Sequence, residues 1–185
     1  MELKVIINPI DGTGPAKRLL SNLFYGCGYN FYRSGNELQE DDDLIRDKLR
    51  QLLRDSRAHL SSLEAAFRRE QRARMGGDYA FLNAAAVATA EILLCAQRDL
   101  EAMEAVIGAP TAPQMERLHR CDRQDRGTLV ALDGEVLLAL VTLRDAIAKL
   151  ENGAAAAARM AGLLRASDFD ALWNRRKAVL SGASG

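Results

Sequence analysis

Metal chemistry is the first possibility that the residue types suggest. Glu116 and His119 stand three residues apart, a spacing that places a carboxylate and an imidazole on one face of a helix, and Cys121 follows. Helical bundles that bridge two metal ions need a second such motif and further carboxylates. The second motif is missing, because Ser56 stands three residues before the other histidine, His59. Glu116, His119 and Cys121 are candidates for a single-metal site, but we predict neither a metal nor a cofactor.

Cysteine chemistry is the second possibility. The three cysteines lie at positions 27, 95 and 121, an odd number at wide spacings that fits neither a disulfide framework nor a C-x-x-C metal site. Cys27 lies between two glycines, and with His119 it forms the one cysteine and histidine combination suited to nucleophilic catalysis. Neither residue belongs to a recognised catalytic signature, and a structural cysteine is the alternative. The sequence favours a non-enzymatic protein.

Aromatic residues are concentrated between positions 24 and 32, where five of the ten in the chain occur. The glycines at 26 and 28 let the backbone bend, so we predict an aromatic loop. One interpretation is a recognition loop that binds a partner. The other is a hydrophobic plug that closes one end of a helical bundle, and the two are compatible. The predicted binding residues are Tyr25, Cys27, Tyr29, Asn30, Tyr32 and Arg33.

The charged residues argue against nucleic acid and membranes as partners. Twenty-five basic residues balance twenty-five acidic ones, so no overall field attracts either. The arginines at 117, 120, 123 and 126 are spaced by three, which winds them around a helix, and acidic residues are interleaved with them. We predict that they pair with the acidic residues between positions 37 and 43. A nucleic-acid surface is the disfavoured alternative.

Apolar residues spaced by three and four predict three long helices. The first covers residues 41–74, the second runs from an Asp78 cap to about residue 107, and the third runs from a capping box at Thr111 to about residue 151. The connections between them are short and rich in glycine and proline. Short connections make consecutive helices antiparallel, so we predict an all-α antiparallel bundle.

Shorter elements flank the long helices. Residues 3–7 are β-branched and predict a strand-like segment, followed by short helices over 16–25, 154–165 and 168–180. The alternative fold is α+β, because Asp133-Gly134 between two apolar runs is also a hairpin signal, and such a hairpin could pair with residues 3–7. We favour a helix there, since the runs are rich in leucine and alanine.

One domain is expected for a chain of 185 residues. Its predicted parts are the strand-like segment, short helix and aromatic loop over 1–40, the long-helix core over 41–151, the C-terminal helices over 152–181 and a frayed tail at 182–185. The antiparallel order gathers the aromatic loop, the acidic residues near position 40, His119 and Cys121 at one end of the bundle. We expect the function at that end.

The first residues lack the basic start of a signal peptide, and no apolar run is long enough to cross a membrane, so we expect a cytoplasmic protein. The alanine, arginine and leucine bias is typical of a GC-rich bacterial genome. Some apolar residues lie outside the main stripes, and such a second apolar surface predicts a homodimer. These residues are Leu53, Leu94, Leu137 and Leu140. We predict a non-enzymatic helical interaction protein, an accessory, assembly or regulatory factor that acts through the aromatic loop. The alternative is a small-ligand or metal-binding protein, conceivably an enzyme, that uses Cys27, Glu116, His119 and Cys121.

Overall fold

A computed structural model describes residues 14–32, 38–74, 84–108 and 123–181. Every regular element in those ranges is a helix, which confirms the predicted all-α class. The helices are α1 (Pro15–Cys27), α2 (Leu38–Arg74), α3 (Ala84–Gly108), α4 (Arg123–Ala148), α5 (Gly153–Ala166) and α6 (Phe169–Ser181). The short helices α1, α5 and α6 match their predicted bounds to within two residues.

The alternative of a hairpin around Asp133-Gly134 is wrong, because both residues lie inside the continuous helix α4. The Asp133 carboxylate is satisfied by side chains of other elements instead of by a turn. Residues 3–7, residues 75–83 with the Asp78 cap, residues 109–122 and the tail at 182–185 lie outside the described residues.

Ion pairs between α2 and α3 show that these two helices are antiparallel. Arg54 contacts Glu104 at 2.6 Å, and Arg57, farther along α2, contacts Glu101, which comes earlier on α3. These pairs are partly exposed, so each stabilises the fold little. They nevertheless fix the direction of α3 against α2, as the short connection predicts.

The chain forms two compact units, each assembled from distant parts of the sequence. The first unit comprises Met1–Asp47, Pro110–Leu138 and Asp170–Gly185, and the second comprises Lys48–Ala109 and Ala139–Phe169. The first unit therefore contains α1, the start of α2, the part of α4 up to Leu138, and nearly all of α6. The second contains the rest of α2 and α4 together with α3 and α5.

In the first unit, Gly134 lets α1 approach α4 closely. A Cβ atom at Gly134 would lie 3.0 Å from Cδ1 of Leu20 and 3.3 Å from Cβ of Ala16. The glycine of the Asp133-Gly134 pair is thus a contact point between helices. The buried apolar residues of this unit include Leu20, Leu23, Leu38, Ile45, Leu129, Leu132, Val136, Leu137, Trp173, Val179 and Leu180.

In the second unit, the buried residues of α3 recur at spacings of three, four and seven, as one face of a helix requires: Ala86, Leu93, Ala96, Leu100 and Ile107. Across the two units, three of the four leucines that were expected outside the main stripes are core residues, because Leu53, Leu137 and Leu140 are at most 2% exposed. Those leucines are not available for a dimer surface. Any surface for association has to be sought elsewhere.

Helix α5 begins where α4 was expected to end. The Asn152 side chain accepts a hydrogen bond from the backbone N–H of Ala155 at 2.9 Å, which caps the new helix. Gly153 follows and lies directly against α2, since a Cβ atom there would come within 2.7 Å of Cβ of Phe67. The predicted break at Asn152-Gly153 is therefore also a start signal and a packing contact.

Candidate functional site

The residue with the most unusual environment is Asp133, a fully buried carboxylate in the middle of α4. Its Oδ2 atom accepts hydrogen bonds from the hydroxyls of Tyr29 at 3.1 Å and Tyr32 at 2.7 Å. Its Oδ1 atom accepts one from Nε of Arg176 at 2.7 Å. A buried carboxylate is tolerated only when it is paired and hydrogen-bonded, and here three donors satisfy it.

Arg176 on α6 links this carboxylate to a second one at the start of α2. Its Nη2 atom donates to Oδ1 of Asp42 at 2.6 Å and to the Tyr32 hydroxyl at 3.1 Å. Asp42 also accepts from Nε of Arg46 at 2.6 Å, one turn farther along α2. Two carboxylates thus face two guanidinium groups, and the cluster is electrically balanced. We call Tyr29, Tyr32, Asp42, Arg46, Asp133 and Arg176 the buried polar network.

Trp173 supplies an aromatic wall to this network. The guanidinium carbon of Arg176 lies 5.0 Å from the centre of the Trp173 ring, and that of Arg46 lies 5.3 Å from it. Both distances suit a cation–π interaction. The Nη1 amino group of Arg176 meets no hydrogen-bond acceptor among the described residues. The indole ring beside this guanidinium offsets part of the free energy lost by burying the unpaired amino group.

The aromatic loop is anchored by Asp41, the neighbour of Asp42. Its two carboxylate oxygens accept from the backbone N–H groups of Asn30 and Tyr32, each at 2.7 Å. These bonds hold Phe31 and Tyr32 in the left-handed backbone region, with φ of 57° and 55°. Two consecutive non-glycine residues in that region are strained, so the carboxylate and the buried tyrosine ring must offset the strain.

The protonation of the network follows from its burial. Desolvation, followed by the negative charge of Asp133, raises the pKa of Tyr29 and Tyr32 well above the ordinary value for tyrosine. Burial also raises the pKa of Asp133, although Arg176 opposes that rise. Burial acts against ionisation of Asp42, yet Arg176 and Arg46 hold its pKa below the ordinary value. Both phenols therefore stay neutral and act as donors.

This arrangement stabilises structure and does not suit catalysis. Tyr29, Tyr32, Asp133 and Arg176 have no exposed surface. A substrate could not reach them, and neutral phenols of raised pKa are poor nucleophiles and poor bases. The network instead ties the aromatic loop, α2, α4 and α6 together within the first unit.

The structure separates the predicted binding residues into two groups. Tyr29 and Tyr32 are buried and Asn30 is half-buried, and all three come together with Asp41. Tyr25, which is 74% exposed, and Cys27 lie on the surface. Arg33 and the metal candidates Glu116, His119 and Cys121 lie outside the described residues. Within the described ranges, no group of three histidine, cysteine, aspartate or glutamate side chains is arranged to hold a metal ion.

Sequence reasoning missed Asp133 and Arg176 as partners, although a signal was present. Asp133 lies next to Leu132 within the apolar stripe of α4, and Arg176 lies three residues after Trp173 on the buried side of α6. A charged residue inside an apolar stripe on each of two helices indicates a buried ion pair. The Asp133-Gly134 dipeptide suggested a turn instead, which hid that signal.

The other distinctive surface is on α3, where a second row of mostly apolar side chains lies beside the buried row and is exposed. Ile92 and Val106 are 46% and 47% exposed. They belong to a row of exposed residues spaced alternately by three and four, which we call the outer face of α3: Ala85, Ala88, Ile92, Cys95, Asp99, Ala102 and Val106. A helix whose apolar surface extends beyond one row normally buries all of it. In α3 only one of the two rows is buried.

Comparison with protein-family models, with curated proteins and with solved structures finds no match for this chain. None of the described helices combines the length and the apolar character needed to cross a membrane.

Proposed function

We propose that this protein is a non-enzymatic helical interaction protein that binds its partner through the outer face of α3. The observation that carries the proposal is the placement of Ile92 and Val106, large apolar side chains of α3 that are left nearly half exposed, while Val87 on the same helix is also exposed, at 37%. Burying apolar surface is the main driving force for association. The buried polar network, in contrast, lies inside the first unit, where Tyr29, Tyr32, Asp133 and Arg176 have no exposed surface.

The position of the aromatic loop side chains supports this choice of surface. The rings of Tyr29 and Tyr32 face the interior, where Asp133 accepts from their hydroxyls, so a partner cannot contact them without opening the unit. Tyr25, in the same region of the chain, is 74% exposed and stays a candidate contact. The loop then holds the helices in place while α3 provides the binding surface.

Site-specific photo-crosslinking in the organism that encodes the protein tests this proposal. A photoreactive phenylalanine analogue is introduced in turn at positions 92, 106 and 25, and at position 158 as a control. Ala158 is exposed on α5, and its neighbours on the helix surface are alanines and a glycine, with no large apolar side chain among them. We expect covalent adducts of defined mass from positions 92 and 106 and none from position 158. Equal yields at all positions, or none at 92 and 106, would contradict the proposal.

A further inference from the structure

The outer face of α3 has a charge pattern that identifies its partner. We propose that this face packs in antiparallel orientation against the same face of a second copy of the chain, an inference that rests on the proposed function. The face runs from Ala85 to Val106, which is almost the full length of the 25-residue helix α3. A two-fold symmetric contact needs a surface that is complementary to itself, and two features of α3 meet that need.

The first feature is the order of side chains along the face. Its spacing assigns Ala85, Ile92, Asp99 and Val106 to the a positions of a heptad, and Ala88, Cys95 and Ala102 to the d positions. In an antiparallel pair, a positions face d positions. With the two-fold axis between Ile92 and Cys95, Ile92 faces the partner's Cys95, and Ala85 faces the partner's Ala102. The alanines allow the two helix backbones to approach closely, so the exposed part of Ile92 becomes buried.

The second feature is a pair of opposite charges beside the face. Glu91 and Arg98 each directly precede an a position, so they lie along the same edge of the face, and both are exposed. They are two turns apart, about 10 Å along the axis, which is too far for a strong pair within the helix. No ion pair joins either of them to a described residue.

Antiparallel pairing about that axis brings these charges together. In an antiparallel coiled coil, residues that directly precede an a position lie opposite each other across the pair. Glu91 therefore meets the partner's Arg98. By symmetry, Arg98 meets the partner's Glu91. Two reciprocal ion pairs flank the central Ile92 and Cys95 layers. The register that aligns the apolar residues is therefore also the register that aligns the charges.

Parallel pairing does not have this complementarity. It would place Asp99 against the partner's Asp99, and like charges in the seam are repulsive. It would also point Glu91 and Arg98 towards the positions of Ala96 and Met103, which lie on the inner side of α3 and carry no charge. The charges thus select the antiparallel arrangement.

Charge reversal tests the pairing directly. Sedimentation equilibrium over a range of concentrations should show a dimer for the unmodified protein. Glu91→Arg alone and Arg98→Glu alone should each weaken the dimer about tenfold, because attraction is replaced by repulsion at both symmetric pairs. The double variant Glu91→Arg with Arg98→Glu should restore dimerisation. Glu101→Arg, which changes an exposed charge on α3 that pairs with Arg57, is the control and should leave dimerisation unchanged.

Cysteine pairing tests the orientation. In a background of Cys27→Ser, Cys95→Ala and Cys121→Ser, the variants Ala85→Cys and Ala102→Cys are oxidised separately and as a mixture. The antiparallel register predicts an intermolecular disulfide in the mixture only, since each position is about 25 Å from its own symmetry mate along the axis. A disulfide from Ala85→Cys alone would overturn the antiparallel arrangement.

The homodimer and the interaction function fail in different ways. A strict monomer at all concentrations, combined with adducts to a different protein from positions 92 and 106, would overturn the homodimer and leave the interaction function standing. A strict monomer without any adduct would overturn both. Single charge reversals that dimerise as well as the unmodified protein would overturn the proposed register.

Discussion

In the first unit, three buried donors are hydrogen-bonded to the single side chain of Asp133. It accepts from two tyrosine hydroxyls and from Nε of Arg176 with no exposed surface of its own. Each donor loses its acceptor if the carboxylate is removed. Because an orphaned buried charge costs more than the original pair contributed, the network tolerates change at its centre poorly.

Replacing Asp133 by asparagine should lower the free energy of unfolding by about 3 to 5 kcal/mol, because Arg176 keeps its charge but loses the carboxylate that pairs with Nε. Urea denaturation followed by circular dichroism measures the loss. Glu135→Gln is the matched control, since Glu135 pairs with Arg175 at an exposed site on the same two helices, and its effect should stay within about 0.5 kcal/mol. Similar losses in both variants would show that the network has no special role.

The buried phenols make the free energy of unfolding depend on pH in the alkaline range. An unfolded tyrosine ionises near pH 10, but Tyr29 and Tyr32 in the folded chain keep their protons to higher pH, because burial and Asp133 raise their pKa. Above pH 10 the unfolded state therefore binds fewer protons, and the free energy of unfolding falls as pH rises. The slope is about 1.4 kcal/mol per pH unit for each tyrosine. In the variant Tyr32→Phe, the part of this slope that comes from the two tyrosines should be halved. Denaturation midpoints measured between pH 8 and 11 test this, and an unchanged slope would contradict the assignment.

Part of this network was predictable from sequence and part was not. Tyr29, Asn30 and Tyr32 lie within a dozen residues of Asp41, so chain connectivity alone suggested that the aromatic loop and the acidic residues would meet. Asp133 and Arg176 are 43 positions apart, and only packing brings them together. Periodicity shows which side of a helix is buried but not which helix covers it.

Among the helices, α5 shows how a glycine can set the position of a whole element. Gly153 is the first residue of α5, and the Phe67 side chain of α2 occupies the space that any larger residue would need. The Asn152 cap fixes where the helix begins, and Gly153 fixes how closely that end approaches α2. The sequence identified Asn152-Gly153 as a break in helical structure, but the close approach depends on Phe67, 86 residues earlier.

Two glycines of α5 should therefore respond to alanine with opposite signs. Gly153→Ala places a Cβ atom 2.7 Å from Cβ of Phe67 and should destabilise the protein by about 1 to 3 kcal/mol. Gly162 is exposed in the same helix with no atom near its missing Cβ, so Gly162→Ala should stabilise by up to about 1 kcal/mol. Thermal melts of both variants measure the difference. Stabilisation by Gly153→Ala would mean that α5 can move away from α2 without cost.

At the level of the whole molecule, the first unit is built from three stretches that include both ends of the described chain. Its central ion pair joins α4 to α6, so it cannot form before the C-terminal helix has been synthesised. Contacts between residues so far apart in sequence slow folding, because loop closure precedes the stabilising interactions. One predicted domain thus contains two units whose segments alternate along the sequence, a division that hydrophobic periodicity does not reveal.

Removal of the last stretch tests that dependence. In a chain that ends at Phe169, the network lacks Arg176 and its aromatic wall, and we expect amide protons in residues 38–47 and 123–138 to lose their protection against hydrogen exchange. Mass spectrometry of peptic fragments measures the protection. A chain that ends at Ser181 retains α6 and is the control. Protection that survives in the shorter chain would show that the first unit does not need α6.

Trp173, the only tryptophan in the chain, lies against two of the charged groups that hold the first unit together. Indole fluorescence responds to nearby cations and to water, and this ring is 2% exposed. The intrinsic emission of the unlabelled protein is therefore an optical probe of the Arg176 environment. A shift of that emission to longer wavelength would register the opening of the network in real time, separately from the loss of helix measured across the whole chain.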